Sequence, residues 1–153
     1  MLFRSDGDDD LSPGGGSSLI IGGSGDDTLS SGGGRGILIG GMGKDHLKGG
    51  KADDILIGGT TDFDNVDAAL AGIMDEWNSW ASYDDRIKHL SGVTTGGKNG
   101  VSYLNASSVH DDGQSDELQG SGGMDWYFAK LDKSKQSDNI FGQKKNEVVT
   151  SIR

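Results

Sequence analysis

The sequence predicts a mainly β fold that is built from a nine-residue repeat and interrupted by a helical segment. From residue 4 to residue 57 the chain divides without a gap into six blocks of nine: RSDGDDDLS, PGGGSSLII, GGSGDDTLS, SGGGRGILI, GGMGKDHLK and GGKADDILI. The eighth position of every block is aliphatic: Leu11, Ile20, Leu29, Leu38, Leu47 and Leu56. Only 32% of the residues are hydrophobic, so this register indicates a structural repeat rather than chance.

The composition predicts a need for bound cations. The chain has 28 glycines and a formal net charge of −10, and unneutralised carboxylates repel one another in a compact state. Hard divalent cations take carboxylate and carbonyl oxygens as ligands, so they are the simplest way to offset this charge. The same charge argues against a nucleic-acid partner. The absence of cysteine excludes disulfides and thiolate metal sites.

The sequence has no apolar run of the length that spans a bilayer, so we expect no membrane span. The start, MLFRSDGDDD, lacks the apolar stretch of a secretory signal. We therefore expect either a different export route or a longer parent protein.

The nine-residue blocks resemble the hemolysin-type calcium-binding repeat, the RTX nonapeptide GGxGxDxUx, in which U is a large apolar residue. The resemblance implies a parallel β-roll. Each nonapeptide would form a glycine-rich half-turn and a short strand, and two would complete one turn, with Ca²⁺ between loops stacked on the same side. Glycines allow positive φ angles that turn carbonyls inward, and the sixth-position aspartate supplies charged oxygen.

Because loops of a roll alternate sides, the resemblance separates odd from even blocks. The odd loops keep the glycines and sixth-position aspartates that would form a calcium column between Asp9 and Asp27 and between Asp27 and Asp45. The implied metal-site residues of the odd loops are Gly7, Asp9, Gly22, Gly23, Gly25, Asp27, Gly40, Gly41, Gly43 and Asp45. The even loops carry Ser18, Gly36 and Asp54 at the sixth position and have mostly lost their ligands.

The residues that flank the eighth position should point out of the roll, since side chains alternate along a strand. In the odd strands these residues are polar: Asp10, Ser12, Thr28, Ser30, His46 and Lys48. In the even strands they are aliphatic: Leu19, Ile21, Ile37, Ile39, Ile55 and Ile57. We therefore expect another part of the chain to cover the even sheet.

A helical segment should supply that cover. After Gly59 the period stops, and apolar residues recur at helical spacing at Ala69, Leu70, Ile73, Met74 and Trp77. We expect Asp64 or Asn65 to cap this helix, and a second helix from Ser82 to Leu90 that Gly92 closes. VSYL at 101–104 is predicted to be a short strand. The residues expected to cover the even sheet are Leu70, Ile73, Met74, Trp77 and Trp80.

The repeat returns as DDGQSDELQ at 111–119 and GSGGMDWYF at 120–128, with Asp116 and Asp125 at the sixth position. Asp116 would extend the odd column, and Asp54 with Asp125 would form one even-side site. SDNIF at 137–141 is a candidate for one more strand, whereas the tail has no predicted place. The predicted organisation is repeats at 4–57, a helical insertion at 58–110, returning repeats and a cap at 111–141, and a tail at 142–153.

Catalytic motifs are missing. GVTTGGKN at 92–99 ends in Asn where a P-loop needs Ser or Thr, and no G-x-S-x-G sequence occurs. His46, His89 and His110 are far apart and outside any H-E-x-x-H sequence. We therefore expect no enzymatic activity within these residues.

The sequence predicts a noncatalytic structural module that folds on binding extracellular Ca²⁺. The stretch from LIGGTTDFDN to GGMDWYF is also similar to a C-terminal module of large, secreted, RTX-bearing bacterial surface proteins. That resemblance implies a secreted or cell-surface location, and the RTX family implies type I secretion. Two alternatives remain: an adhesin or carbohydrate-binding module that uses Tyr83, Tyr103, Trp80 or Trp126, and an accessory domain of a secreted hydrolase.

Overall fold

Short strands and two helices make up the regular structure of the chain. The computed structural model describes residues 1–153. The helices are α1 (Asp67–Trp77) and α2 (Tyr83–Ser91). The strands are β1 (Leu2–Arg4), β2 (Asp10–Leu11), β3 (Ser18–Ser24), β4 (Thr28–Ser30), β5 (Gly36–Met42), β6 (His46–Lys48), β7 (Ile55–Ile57), β8 (Thr60–Thr61), β9 (Val109–His110), β10 (Glu117–Gln119), β11 (Trp126–Ala129), β12 (Asn139–Phe141) and β13 (Val148–Ser151).

Successive strands of the repeat enter two different parallel sheets. One sheet has six strands in the order β1-β3-β5-β7-β11-β13, and the other has five in the order β12-β10-β6-β4-β2. The eighth positions stay in register, because Leu38 pairs with Ile20 on one side and with Leu56 on the other. A separate antiparallel pair joins β8 to β9. The predicted mainly β fold, with parallel strands and two helices, is confirmed.

The eighth-position side chains of both sheets form one buried cluster. None of its eight central members exposes any surface: Ile20, Leu29, Leu38, Leu47, Leu56, Leu118, Tyr127 and Ala129. Complete burial of an aliphatic side chain contributes roughly 1.5–3 kcal/mol. The aliphatic register read from the sequence therefore places the interior of the repeat correctly.

A second buried cluster joins the outward side chains of the six-stranded sheet to the helical segment. It contains Leu19, Ile21, Ile37, Ile39, Ile55, Ile57, Trp126 and Phe128 from the sheet, with Leu70, Ile73, Trp77 and Leu90 from the helices. Met74 packs against it and is partly buried. Trp80 does not take part, because it lies in the turn after α1 and is fully exposed. Its predicted role in the cover is wrong.

One local prediction for the helices is confirmed and another is wrong. Ser82 caps α2 by accepting a 3.1 Å hydrogen bond from the Asp85 N–H, and Gly92 ends that helix with φ +83°. Asp64, in contrast, does not cap α1, since its carboxylate accepts hydrogen bonds from Thr61 N (3.0 Å) and Oγ1 (2.6 Å). Val66 takes the cap position without a side-chain bond.

No strand forms at 101–104, where the sequence predicted one. The Leu104 N–H instead donates a 2.7 Å hydrogen bond to the Leu90 carbonyl at the end of α2. The strand in this part of the chain is β9, which pairs with β8. Tertiary contact with the helix end therefore overrides the local β propensity of VSYL.

The C-terminal residues continue the repeat. β12 pairs with β10, and β13, inside the tail that had no predicted place, pairs with β11. After an offset of four residues at 129–132, the nine-residue frame resumes as KSKQSDNIF at 133–141 and GQKKNEVVT at 142–150. Asp138 and Glu147 then occupy sixth positions, and Ile140 and Val149 occupy eighth positions. Neither helix is long and apolar enough to cross a membrane.

Candidate metal centres

Five aspartates form a column of sixth-position carboxylates, each just before a strand of the five-stranded sheet. This odd column consists of Asp9, Asp27, Asp45, Asp116 and Asp138. The backbone N–H of each of the first four members donates a hydrogen bond of 2.8–2.9 Å to Oδ1 of the next. The structure therefore brings Asp9, Asp27, Asp45 and Asp116 together on consecutive turns, as the sequence predicts, and adds Asp138.

The second oxygen of four of these carboxylates has no hydrogen-bond partner. Oδ2 is buried and unpaired in Asp9, Asp27, Asp45 and Asp116. Asp138 differs, because its Oδ2 accepts a 2.7 Å hydrogen bond from the Lys130 N–H. Buried polar atoms without partners are rare and costly. Four consecutive turns thus present an unsatisfied hard oxygen, which is the ligand type that Ca²⁺ takes.

The first-position glycines let the backbone lie close to these oxygens. A Cβ on Gly22 would overlap both Asp27 Oδ2 and the Gly40 carbonyl oxygen, and a Cβ on Gly40 would overlap Asp45 Oδ2. A Cβ added to Gly58 would likewise lie only 2.8 Å from Asp116 Oδ2. This position of Gly58 was not predicted from the sequence, because the helical segment separates it from Asp116. A side chain at any of these three glycines would therefore collide with a column carboxylate.

Other glycines of the predicted metal sites allow the loops of adjacent turns to stack closely. Gly41 and Gly43 have positive φ angles (+107° and +130°), and a Cβ on either would overlap a carbonyl oxygen of the preceding turn, that of Gly23 or Gly25. Gly7, at the end of the column, also has a positive φ (+103°) but open space around it. Glycine at these positions therefore lets main-chain carbonyls of adjacent turns approach one another.

The donor set of the odd column fits a hard cation. No group of three or more His, Asp or Glu side chains lies close enough to hold a metal ion by side chains alone. Each turn contributes a single sixth-position carboxylate, so the remaining ligands would be main-chain carbonyls such as that of Gly40. An all-oxygen set of this kind suits Ca²⁺ better than Zn²⁺, which takes nitrogen and sulfur ligands.

The raised pKa values of the odd-column carboxylates are consistent with a site for a cation. Burial raises the pKa of Asp45 to about 7 and that of Asp116 to about 8, and neighbouring carboxylates add to both shifts. Burial, with a smaller contribution from Asp9, also raises the pKa of Asp27. In the absence of a cation these groups therefore resist ionisation inside the fold.

The other side of the repeat carries fewer free oxygens. Its sixth positions, the even column, are Ser18, Gly36, Asp54, Asp125 and Glu147. Gly36 N donates to Asp54 Oδ1 (2.6 Å), Asp54 N to Asp125 Oδ1 (2.9 Å), and Asp125 N to Glu147 Oε1 (3.1 Å). Only Asp125 keeps an unpaired buried oxygen, because Asp54 Oδ2 accepts a 2.7 Å bond from Gly50 N.

Two column members, Asp138 and Glu147, were not predicted from the sequence. Neither is preceded by a glycine pair, and the four-residue offset at 129–132 breaks the frame. A signal was nevertheless present in the sequence. Asp138 stands two residues before Ile140, and Glu147 stands two residues before Val149, as Asp27 stands before Leu29.

Comparison with protein families decides the nature of the repeat. Residues 4–38 and 39–62 match the model of the RTX calcium-binding nonapeptide repeat, in four copies. Residues 4–62 carry RTX repeats. These RTX repeats contain Asp9, Asp27 and Asp45 of the odd column, and the family is a calcium-binding, structural one rather than a catalytic one. Neither a curated protein nor a solved structure matched the chain.

Proposed function

We propose that this chain is a structural module whose RTX repeats fold into a β-roll on binding extracellular Ca²⁺. The observation that carries the proposal is the set of four buried, unpaired Oδ2 atoms in the odd column: those of Asp9, Asp27, Asp45 and Asp116. For the last three of these aspartates, a first-position glycine lies so close to the free oxygen that a Cβ there would overlap it.

The proposed mechanism is folding coupled to ion binding. The unliganded chain carries a net charge of −10, and its column carboxylates are buried next to one another. Bound Ca²⁺ would neutralise these carboxylates and join adjacent turns, so its binding free energy would become folding free energy. Extracellular modules of this ligand type bind Ca²⁺ with dissociation constants of about 10⁻⁴ to 10⁻³ M.

The proposed ligand loops are those that the sequence indicated. Ions would lie between turns of the odd column, in the loops of Gly7, Gly22, Gly23, Gly25, Gly40, Gly41 and Gly43, with carboxylates from Asp9, Asp27, Asp45 and Asp116. On the even side, the free oxygen of Asp125 supports one further site with Asp54 as its neighbour.

The proposed organisation is a roll formed by residues 4–57 and 111–141, with residues 58–110 inserted between them and the tail at 142–153 adding a last strand. The helices would cover the apolar outer face of the six-stranded sheet. The buried cluster shared by Trp77, Leu70, Ile37 and Trp126 supports this arrangement. We further propose a secreted or cell-surface location reached by type I secretion, because RTX repeats are typical of secreted bacterial proteins.

Calcium titration tests the central proposal. The protein is freed of divalent ions with chelator, and Ca²⁺ is added while far-UV circular dichroism and the heat of binding are recorded. We expect ordered secondary structure to appear with Ca²⁺ at millimolar or lower concentration and not with Mg²⁺ at the same concentration. Unchanged structure in excess chelator would refute the coupling, whereas the heat of binding tests the calcium sites themselves.

The adhesin or carbohydrate-binding alternative now rests on one residue. Trp126 is buried, and Tyr83 and Tyr103 are partly buried, with the Tyr83 hydroxyl donating to the Asp125 carbonyl at 2.6 Å. Trp80 alone is fully exposed and could stack on a sugar ring. Loss of glycan binding in Trp80→Ala, at unchanged calcium affinity, would support this second function. No observation favours the hydrolase accessory domain, which the full-length reading frame would test.

A further inference from the structure

The last turn of the even column has a carboxylate that the protein itself satisfies. Glu147 occupies the sixth position, and its side chain has no solvent exposure. Oε1 accepts hydrogen bonds from Asp125 N (3.1 Å) and Lys144 Nζ (3.0 Å). Oε2 accepts from Lys144 N (2.6 Å) and the Tyr127 hydroxyl (3.3 Å). Unlike Asp27 or Asp45, Glu147 therefore has no oxygen left without a partner.

The ammonium group of Lys144 lies among main-chain carbonyls as well. Its Nζ donates to the Gly123 carbonyl at 2.8 Å and to the Gly122 carbonyl at 3.4 Å. Both glycines belong to the loop of the preceding even turn, whereas Glu147 belongs to the last one. A lysine ammonium has three N–H donors, and here it meets three oxygen acceptors. It thus links carbonyls of one turn to the carboxylate of the next.

We propose that the Lys144 ammonium takes the place of a calcium ion between the last two even turns. This inference rests on the proposed function, in which Ca²⁺ joins other turns through the same ligand types. The side chain is anchored to the chain, so this junction would form without any free ion. The RTX-like turn at 142–150 would therefore be a calcium-independent end of the roll.

An ordinary surface ion pair is a poorer description of this contact. Lys144 is 42% exposed, but its partner Glu147 is completely buried. A buried carboxylate that loses its cation is left uncompensated in a poorly hydrated site, which is far more costly than breaking an exposed pair. The last carboxylate of the odd column, Asp138, is also satisfied, but by the neutral main-chain N–H of Lys130.

The test compares Lys144→Met with Lys145→Met by hydrogen–deuterium exchange at several free Ca²⁺ concentrations. Methionine keeps an unbranched side chain of similar reach and removes the charge. Lys145 is the matched control, since this neighbouring lysine is exposed and makes no side-chain hydrogen bond or ion pair. The readouts are amide exchange in residues 142–151 and the number of bound Ca²⁺ ions from native mass spectrometry.

In the wild type and in Lys145→Met, exchange in 142–151 should stop responding to Ca²⁺ once the odd column is saturated. In Lys144→Met it should be at least about tenfold faster, the smallest effect expected from losing a charged hydrogen bond to a buried carboxylate. Further Ca²⁺ should then slow exchange again, with one additional ion bound per chain.

Two results would overturn the proposal. One is identical exchange in the two variants, and the other is faster exchange in Lys144→Met that Ca²⁺ does not reverse. Failure of the proposed function is a separate outcome, namely a wild type that folds without Ca²⁺ and binds none. In that case, amide exchange of the two variants in chelator still shows whether the Lys144 ammonium stabilises the turn at 142–150.

Discussion

The backbone N–H of Asp27 donates a 2.9 Å hydrogen bond to Oδ1 of Asp45, while Oδ2 of the same buried carboxylate has no partner. In the same way, the Asp9 N–H donates to Oδ1 of Asp27, and the Asp45 N–H donates to Oδ1 of Asp116. Each carboxylate thus orders the loop before it and keeps one oxygen for another ligand. Because every turn is tied to the next in this way, loss of a single aspartate should affect two neighbouring turns.

Replacement of Asp27 should weaken calcium binding on both sides of it. Asp27→Ala removes the free Oδ2 and the acceptor of the Asp9 N–H, and we expect affinity to fall roughly tenfold or more. Asp27→Asn keeps an acceptor and removes the charge, so it should fold more readily but still bind weakly. Isothermal titration calorimetry checks both variants. Asp84→Ala, on the exposed face of α2, should leave binding unchanged, and wild-type affinity in Asp27→Ala would contradict the assignment.

A methyl group at Gly22 should disrupt the site without changing its charge. The Cβ of Gly22→Ala would overlap Asp27 Oδ2 and the Gly40 carbonyl oxygen. Gly15→Ala is the matched control, because nothing lies within 4 Å of its Cβ position and neither glycine has a positive φ. We expect Gly22→Ala to lose calcium affinity, and Gly15→Ala to change the unfolding free energy by no more than about 1 kcal/mol. Equal behaviour of the two in titration and thermal unfolding would argue against a site beside Gly22.

In the absence of calcium, the folded state should lose stability as pH rises. Burial raises the pKa of Asp45 to about 7, of Asp116 to about 8 and of Asp125 to about 7, from an ordinary value of 3.8. The unfolded chain ionises near pH 4, whereas the folded one holds these protons. The resulting stability is therefore present below about pH 4 and is lost as pH rises through 7 to 8.

Circular dichroism in chelator at pH 5 and pH 8 measures this effect, with more structure expected at pH 5. Calcium should reverse the trend, because protons compete with Ca²⁺ for the same oxygens. Calcium affinity should therefore rise between pH 5 and pH 8. A calcium-free protein that is more stable at pH 8 than at pH 5 would contradict the raised pKa values of these aspartates.

Arg86 should hold the helical segment to an even-side loop. Its guanidinium is 2% exposed, donates to the Trp77 carbonyl at 3.0 Å and to the Asp53 carboxylate, and lies 4.4 Å from the Trp77 ring centroid. Arg86→Met leaves Asp53 without this partner and should lower the unfolding free energy by about 3 kcal/mol. Denaturation in saturating Ca²⁺, followed by tryptophan fluorescence, measures the loss. Lys88→Met, an exposed change on the same helix, is the control, and both variants should keep calcium binding in the odd column.

Much of the fold follows from local periodicity. The nine-residue register predicted that Leu29 and Leu38 point inward and that Ile37 and Ile39 face another part of the chain, because side chains alternate along any strand. The helical spacing predicted both helices for a similar reason. The strand predicted at 101–104 failed, since the Leu104 N–H pairs with the end of α2. A contact made by residues distant in sequence decided that segment.

Residue type and spacing are enough to predict which side of the repeat carries the unbroken series of aspartates and which side carries aliphatic residues on its outer face. Which carboxylate oxygens are free depends on contacts between turns. Asp45 and Asp54 both occupy sixth positions, yet the Gly50 N–H bonds Asp54 Oδ2 within its own loop. The Gly41 N–H instead donates to the Gly59 carbonyl of the next turn, and Asp45 Oδ2 stays unpaired. The direction in which an N–H points depends on the neighbouring turn, so residue identity and spacing alone do not encode it.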